Sequence, residues 1–380
     1  MKPDWVREHV ISGEARPLKI GNVTRALADY WREHRNQHED SCLRVCTMNL
    51  VVVTSEPSGA AGLGARLKEL APNYPCRSVL VVRDPETEGD LTGWLSPTCI
   101  PAKEHQAGSE QLIFHAPGGG ERIPSLVLPL LRPDLPVFLY WIGGPPFGAN
   151  FFERLVEGSS RVLFDSATFP FTSALTQVLE LVQDRYHCEQ AFSDLSWGRL
   201  ATWRQLVAAL FDSPGAREQL GKTRRVEVQF WTPGEVREFA PGPLLMAGWL
   251  ASRLKWRSSG SLQRADGVWE SSLASEGGPI RLRLIPVANP DPELEGRLVG
   301  VTLACDGCTF SVHRQEEDLQ KMTSVVDGLA VEIDHQLRLQ ALDEAHLLGR
   351  EFEQLSRDPV FESSLRSALE LGGYREVARA

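Results

Sequence analysis

The chain has 380 residues and a net charge of −10, with 40 Lys plus Arg against 50 Asp plus Glu. That balance argues against nucleic acid as a general partner, because phosphate backbones are held by an excess of basic side chains. Hydrophobic residues make up 42% and charged residues 24%. This globular composition excludes disorder over the whole length and, at about 150 residues per domain, fits two or three compact units.

The opening Met1-Lys2-Pro3-Asp4-Trp5 has no apolar run after a basic start, so no secretory signal is expected. Residues 1–40 read as an N-terminal helical arm: Val23 to His38 is polar, with Leu27, Tyr30 and Trp31 at helical spacing, which gives a narrow docking stripe. Residues 41–212 read as an α/β domain with a largely parallel, Rossmann-like sheet. Asn49 to Val53 is an apolar, β-branched run of the kind that suits a strand covered on both faces. Similar runs recur at Ser78–Val82, Leu112–Phe114, Val137–Trp141 and Val162–Phe164. Helical patterns lie between and after them at Leu63–Leu70, Pro124–Leu131, Phe151–Val156, Phe171–Val182 and Leu200–Phe211. Asp212-Ser213-Pro214-Gly215 punctuates the end of this unit.

Residues 216–314 read as a smaller α+β domain. Arg225–Phe230, Ile280–Ile285, Leu298–Ala304 and Thr309–His313 alternate polar and apolar, as in an antiparallel sheet with one solvated face, and Pro243–Trp256 is an apolar-faced helix. Residues 315–380 read as a helical acidic tail. Leu319, Met322, Val326, Leu329, Ile333 and Leu337 follow steps of three and four along one long helix, which Asp358-Pro359 is expected to stop. From Arg314 to Ala380 there are eight basic and fourteen acidic side chains, suited to a solvated face or to an acidic arm for a basic partner.

The most apolar stretch, Ile123 to Phe147, carries Arg132, Asp134 and six prolines, which breaks any membrane span. A cytoplasmic protein with no membrane partner is expected. The seven cysteines (Cys42, Cys46, Cys76, Cys99, Cys188, Cys305 and Cys308) form an odd, scattered set, so reduced thiols are the default.

Ser58-Gly59-Ala60-Ala61-Gly62-Leu63-Gly64 joins a strand to a helix, as a phosphate loop does. Its glycines fall at spacings of three and two, the reverse of the dinucleotide fingerprint, and no Gly-Lys-Ser/Thr ending follows. Gly118-Gly119-Gly120 is a turn of the same ambiguous kind. His34, His38, Cys42 and Cys46 recur every four residues and offer nitrogen and sulfur ligands for zinc, but Leu43-Arg44-Val45 approaches a strand and scatters the set. Cys305-Asp306-Gly307-Cys308 reads as a hairpin turn with its cysteines facing each other, where a reversible bridge and a passive reduced pair both stay open. No nucleophile elbow or zinc helix occurs, and Glu332-Ile333-Asp334-His335 lies among charged residues. No catalytic set, cofactor or metal is expected. Pro133, Asp134 and Pro136 before one strand, and Trp141, Pro145, Pro146 and Phe147 at and after its end, form a rigid apolar stretch suited to a protein partner, since little conformational entropy remains to be lost on binding.

At these residues the chain resembles the OpcA family, the assembly and effector proteins of glucose-6-phosphate dehydrogenase. Arg44–Val52 resembles the family's first core strand, and Pro124–Leu131 with Pro133–Leu139 its most distinctive block. Asp194-Leu195-Ser196-Trp197-Gly198-Arg199-Leu200 followed by Thr202-Trp203-Arg204, and Leu244 to Trp256, resemble two further segments. The resemblance covers about residues 40 to 315 and implies a non-catalytic protein that binds the dehydrogenase and promotes its assembly or activity in the oxidative pentose phosphate route. It also implies an association with thiol control in photosynthetic bacteria. The dehydrogenase's own R-x-D-H-Y-x-G-K motif is missing, since Asp334-His335 continues into Gln336-Leu337. The alternative reading is a sugar-phosphate- or nucleotide-binding enzyme or sensor using the Ser58–Gly64 loop.

Overall fold

The computed structural model describes residues 6, 15–37, 46–55, 62–101, 106–118, 120–183, 190–234, 240–315, 318, 321–329, 336–338 and 344–374. The chain divides into two compact units, each built from separate stretches. The first takes Met1–Thr168, Arg185–Leu195 and Asp343–Arg357; the second takes Phe169–Asp184, Ser196–Leu342 and Asp358–Ala380. The chain thus first passes into the second unit well before the punctuated stretch at Asp212.

The first unit holds an eight-stranded sheet of β1 (Arg16–Leu18), β2 (Met48–Thr54), β3 (Cys76–Asp84), β4 (Thr92–Pro101), β5 (Gln106–Pro117), β6 (Val137–Ile142), β7 (Arg161–Phe164) and β8 (Ala191–Asp194). Its order is β1-β4-β5-β3-β2-β6-β7-β8. The edge pairs β1–β4 and β4–β5 are antiparallel, and the six strands from β5 to β8 run parallel. Counted along the chain, those six follow the spatial order 3-2-1-4-5-6 of a Rossmann sheet, whose order reverses between β2 and β6. Every residue of β2 is buried, as its unbroken apolar run predicts for a strand covered on both faces. Helices α1 (Val23–Gln37), α2 (Leu63–Leu70), α3 (Ile123–Val127) and α4 (Asn150–Glu157) belong to this unit. In α1, Val23, Leu27 and Trp31 are buried, and the Trp31 indole donates to Glu110 Oε1 at 2.7 Å. Arg77 Nε donates to the same buried carboxylate at 2.6 Å, so the charge of Glu110 is compensated.

The second unit contains α5 (Leu175–Gln183), then α6 (Leu195–Arg199), which opens on the last residue of the first unit, α7 (Ala201–Ala209), α8 (Pro214–Gln219) and α9 (Pro241–Leu254). Its sheet comprises β9 (Thr223–Thr232), β10 (Arg257–Ser258), β11 (Gln263–Ala265), β12 (Val268–Ser275), β13 (Gly278–Ala288), β14 (Leu298–Cys305), β15 (Cys308–Arg314), β16 (Lys321–Asp327) and β17 (Gln336–Arg338). The order is β10-β12-β13-β9-β14-β15-β16-β17, with β11 on β12. All pairings are antiparallel except β9 with β13, which are parallel because the connection between them includes the crossover helix α9. The α9 helix is buried nearly all round. On β9, Val226, Val228 and Phe230 point inward while Arg225 and Glu227 point outward, as the alternation predicts. On the outward side an ion-pair ladder runs from Glu227 through Arg283 to Glu270 and Arg281.

The tail corrects the reading of one long helix. Residues 321–327 are the strand β16, paired with β15 through Phe310–Val326 and Val312–Ser324. A step of four is one helical turn but also two strand periods, so Met322 and Val326 share a face either way. Buried Ser324 between them shows that the period here is two. Leu319 and Ile333 lie outside the described residues. Beyond β17 come α10 (Glu344–Phe352), in the first unit, and α11 (Pro359–Gly372), in the second. Asp358-Pro359 begins α11 and does not terminate a preceding helix. The Asp358 carboxylate accepts from the Val360 and Phe361 amides at 2.9 and 3.0 Å, and Pro359 occupies the first turn, where no N–H is needed.

Candidate functional site

The residues expected to meet a protein partner flank β6, at its opposite ends. Six residues at about 3.3 Å each put about 20 Å between the turn before β6 and the loop after it. The contiguous stretch is therefore two separate places on the first unit.

At the amino end, Pro133 and Asp134 are exposed and Pro136 is half-buried. Asp134 has a φ of +62°, a left-handed conformation that Asp tolerates better than most residues. The turn is pinned from below by Asn49. That side chain, fully buried in β2, donates through Nδ2 to the carbonyls of Arg132 at 3.0 Å and Leu135 at 3.4 Å, and its Oδ1 accepts from the Arg132 amide at 2.7 Å. Asn49→Ala leaves an amide and two carbonyls without their partner, at a cost of about 1–3 kcal/mol. We expect chemical denaturation to show that loss, with hydrogen exchange rising first at residues 132–137. A polar residue inside an apolar strand run was the sequence signal for this role.

At the carboxyl end, Gly143 (φ +83°) and Gly148 (φ +77°) bracket the loop. The Phe147 amide donates to the Pro145 carbonyl at 2.9 Å and the Ala149 amide to that of Pro146 at 3.0 Å. Pro145 is buried, and Pro146 and Phe147 are half-buried. The Phe147 ring meets Phe152 edge-on at 5.7 Å between centroids. Trp141 is a correction to the expected set: it is 0% exposed and packs edge-on against Phe152 at 5.2 Å. A side chain so enclosed acts on a partner only through the packing it supports.

This loop also lies at the carboxyl edge of the sheet, where the strand order reverses and Rossmann proteins hold their ligands. Of the glycine loop, Gly62 has a φ of +71° and precedes α2, Gly64 is buried in it, and residues 56–61 lie outside the described residues. At the end of β3, 20 positions beyond Gly64, stands Asp84, which occupies the place of the ribose-binding acid in dinucleotide sites. Its carboxylate accepts from Thr87 Oγ1 at 2.6 Å and lies 3.4 Å from His115 Nε2. Those contacts, the Thr87 hydroxyl foremost, hold its pKa below the usual carboxylate value. The sequence reading missed Asp84, although its distance from the glycines was visible. Gly118 and Gly120 both adopt positive φ, and a Cβ at Gly120 would meet the Phe151 ring at 3.0 Å, so that turn is shaped by packing.

Cys305 and Cys308 are register partners across the β14–β15 hairpin, as expected, and both are free thiols. The turn is held by Arg224, which binds Asp306 through Nε at 3.1 Å and Nη2 at 2.7 Å and donates to the Gly277 carbonyl at 2.6 Å. Burial pushes the Cys305 thiol up, against the hydrogen bond with Thr223, which disfavours a resting thiolate. Of the four candidate zinc ligands, Cys46 donates its thiol to the Met48 carbonyl at 3.2 Å, the backbone of His34 lies in α1, and His38 and Cys42 lie outside the described residues, as do Glu332–His335. Among the described residues no group of three or more His, Cys, Asp or Glu could hold a metal, and no helix is long and apolar enough to cross a membrane.

Three of the tail's acids find partners within the first unit. Glu344 accepts from the Tyr140 hydroxyl at 2.8 Å and pairs with Arg66 at 3.4 Å. Glu351 pairs with Arg161 at 2.7 Å, and Glu353 accepts from the Tyr74 hydroxyl at 2.6 Å. Burial and that carboxylate push the Tyr74 pKa up to about 12. Glu344 and Glu351 thus tether α10, while Glu353, just past its end, stays exposed.

The fold is thus that of a Rossmann-type sheet joined to a second, largely antiparallel sheet, with rigid loops at both ends of β6. Two family signatures match the chain in order: the glucose-6-phosphate dehydrogenase subunit N-terminal domain over residues 67–182 and the corresponding C-terminal domain over residues 190–365. Relatives named OpcA and assigned to the OxPP cycle are 25% identical over 315 residues in Synechocystis sp. and 31% identical over 313 residues in Nostoc punctiforme. These alignments cover 79% and 78% of this chain. The chain belongs to the OpcA family. It spans 64% and 65% of the length of those two relatives. Among solved structures, levoglucosan dehydrogenase in complex with NADH and L-sorbose is 8% identical with a TM-score of 0.48, covering 87% of this chain and 96% of its own. An oxidoreductase from Sinorhizobium meliloti is 10% identical, also with a TM-score of 0.48, covering 87% and 97%. Neither likeness bears on activity.

Proposed function

We propose that this chain is a non-catalytic cytoplasmic protein that binds glucose-6-phosphate dehydrogenase and promotes its oligomerisation or activity, and hence NADPH supply by the oxidative pentose phosphate route. The observation that carries this reading is the pair of family matches, both described as parts of a glucose-6-phosphate dehydrogenase subunit, in order along the chain. Two rigid, proline-bearing loops, Pro133–Pro136 and Pro145–Phe147, support it as contact surfaces whose ordering cost is already met in the free protein. An effector of this kind works by binding the active dehydrogenase better than the inactive one, and the coupling equals that difference in affinity. Nucleic acid and membranes are not partners in this reading.

The test is co-purification with the dehydrogenase of the same source, followed by its kinetics at micromolar effector. We expect a complex, together with a lower KM or a higher kcat. Unchanged kinetics and no complex would remove the proposal. The facing thiols of Cys305 and Cys308 add a redox arm: activation compared with and without reductant, then with both cysteines replaced by serine, reads whether a bridge matters.

Asp84, placed where a ribose-binding acid stands, favours a second reading: a sugar-phosphate- or nucleotide-binding enzyme or sensor built on the Ser58–Gly64 loop. Calorimetry of the isolated chain with glucose 6-phosphate and with NADP separates the two, since heat without the dehydrogenase belongs to the second reading alone.

A further inference from the structure

Among the described residues three large hydrophobic side chains are exposed: Phe171 at 60%, Leu355 at 52% and Val325 at 40%. Isolated exposed aliphatics are ordinary on protein surfaces. Phe171 differs in size, in setting and in rigidity. It follows half-buried Phe169 and exposed Pro170, which makes a short apolar run, Phe169-Pro170-Phe171, in the second unit. Its backbone is held in place. Phe171 is extended (φ −143°, ψ 138°) and caps the short 3-10 turn Thr172–Ala174, its carbonyl accepting from the Ala174 amide at 3.1 Å. The next residue, Thr172, is buried, and Thr176 Oγ1 ties the turn from within by donating to the Ser173 carbonyl at 2.7 Å. Pro170 restricts the approach to the ring. The result is a phenyl ring held out to solvent on a stiff stalk.

Interface hot spots have this form: a large ring with few rotatable bonds, pre-positioned so that little entropy is lost when a pocket closes around it. Exposing such a ring gains nothing for the isolated fold, since its apolar area stays in water. We propose that Phe171, presented by the Phe169-Pro170-Phe171 loop, is the aromatic anchor through which this chain engages an apolar pocket on glucose-6-phosphate dehydrogenase. The inference rests on the assembly reading and supplies the exposed aromatic that enclosed Trp141 does not.

The test titrates the purified dehydrogenase with the full-length chain, with Phe171→Ser and with Phe171→Leu, following association and dissociation rates, alongside thermal unfolding of each variant. We expect Phe171→Ser to weaken binding by about 10-fold or more, mainly through faster dissociation, and Phe171→Leu to keep part of the affinity. The melting temperature of Phe171→Ser should match that of the parent, because most of the ring is in water. Equal affinity of parent and Phe171→Ser overturns the inference and leaves the assembly reading standing. A melting temperature lowered by several degrees also overturns it, because the ring is then part of the core. So does light scattering that shows Phe171→Ser dissolving a self-associated form while dehydrogenase binding is unchanged. Failure of the parent chain to bind the dehydrogenase at all removes the assembly reading, and this inference with it.

Discussion

Replacing Glu351 with alanine should destabilise the first unit by about 3–5 kcal/mol, the usual penalty for stranding a buried charge. Arg161 on β7 is 2% exposed, its Nη2 pairs with Glu351 Oε2 at 2.7 Å, and its Nη1 donates to the Ser356 carbonyl at 2.9 Å. Its Nε has no hydrogen-bond partner, so the guanidinium depends on those two contacts. Loss of the carboxylate leaves a cation in the interior with only a carbonyl to face, whereas an exposed pair would be worth less than about 1 kcal/mol. Denaturant unfolding, read together with hydrogen exchange in β7, measures the cost. The double variant Arg161→Met with Glu351→Leu should recover most of it, because an apolar pair of similar volume needs no desolvation. A Glu351→Ala cost below about 1 kcal/mol would show that water reaches the pair. Phe352, whose ring lies 5.1 Å from Phe138 and 5.6 Å from Tyr74, would then be what holds α10.

Gly248→Ala is expected to disrupt the second unit. Gly248 lies in α9 where that helix meets α11, and a Cβ there would fall 2.6 Å from the Ala368 amide nitrogen and 2.7 Å from its Cβ, closer still to the Ser364 carbonyl. Two of those three atoms are backbone, so relief requires the helices to separate. Overpacking of this kind costs about 1–3 kcal/mol and sometimes more. Parting the helices would also loosen Leu244, Leu245, Ala251, Leu365 and Leu369, all buried. Helix propensity alone predicts the opposite, a gain of about 1 kcal/mol on replacing a mid-helix glycine by alanine. The sign of the change in melting temperature therefore decides which effect wins, and we expect a fall. Arg253→Gly compared with Arg253→Ala, at an exposed position of the same helix, serves as the control for propensity, since no core contact changes.

Much of the first sheet was legible because its strands are unbroken apolar runs. Asn49–Val53, Ser78–Val82, Val137–Trp141 and Val162–Phe164 all lie inside observed strands, and the Cys305–Cys308 hairpin closes as its Asp-Gly centre predicts. The tail was misread because a step of four satisfies both periods, and only the pairing of β16 with β15 separates them. In the partner-facing stretch the strand between the two loops was legible, and the enclosure of Trp141 was not. The extended β6 sets its two ends about 20 Å apart, while Trp141 is drawn into the interior by Phe151 and Phe152.

What the sequence determined by itself was local: where apolar runs make strands, where Gly and Pro end elements, and the ordered segments that mark the OpcA family. Tertiary structure alone decided which acids are spent inside the fold and which aromatic faces water. The Tyr140–Glu344 hydrogen bond joins residues 204 positions apart, and Phe171 stays 60% exposed beside buried Thr172. The physical reason is that periodicity records the geometry of one segment, whereas burial and charge compensation depend on which distant segment arrives to cover it.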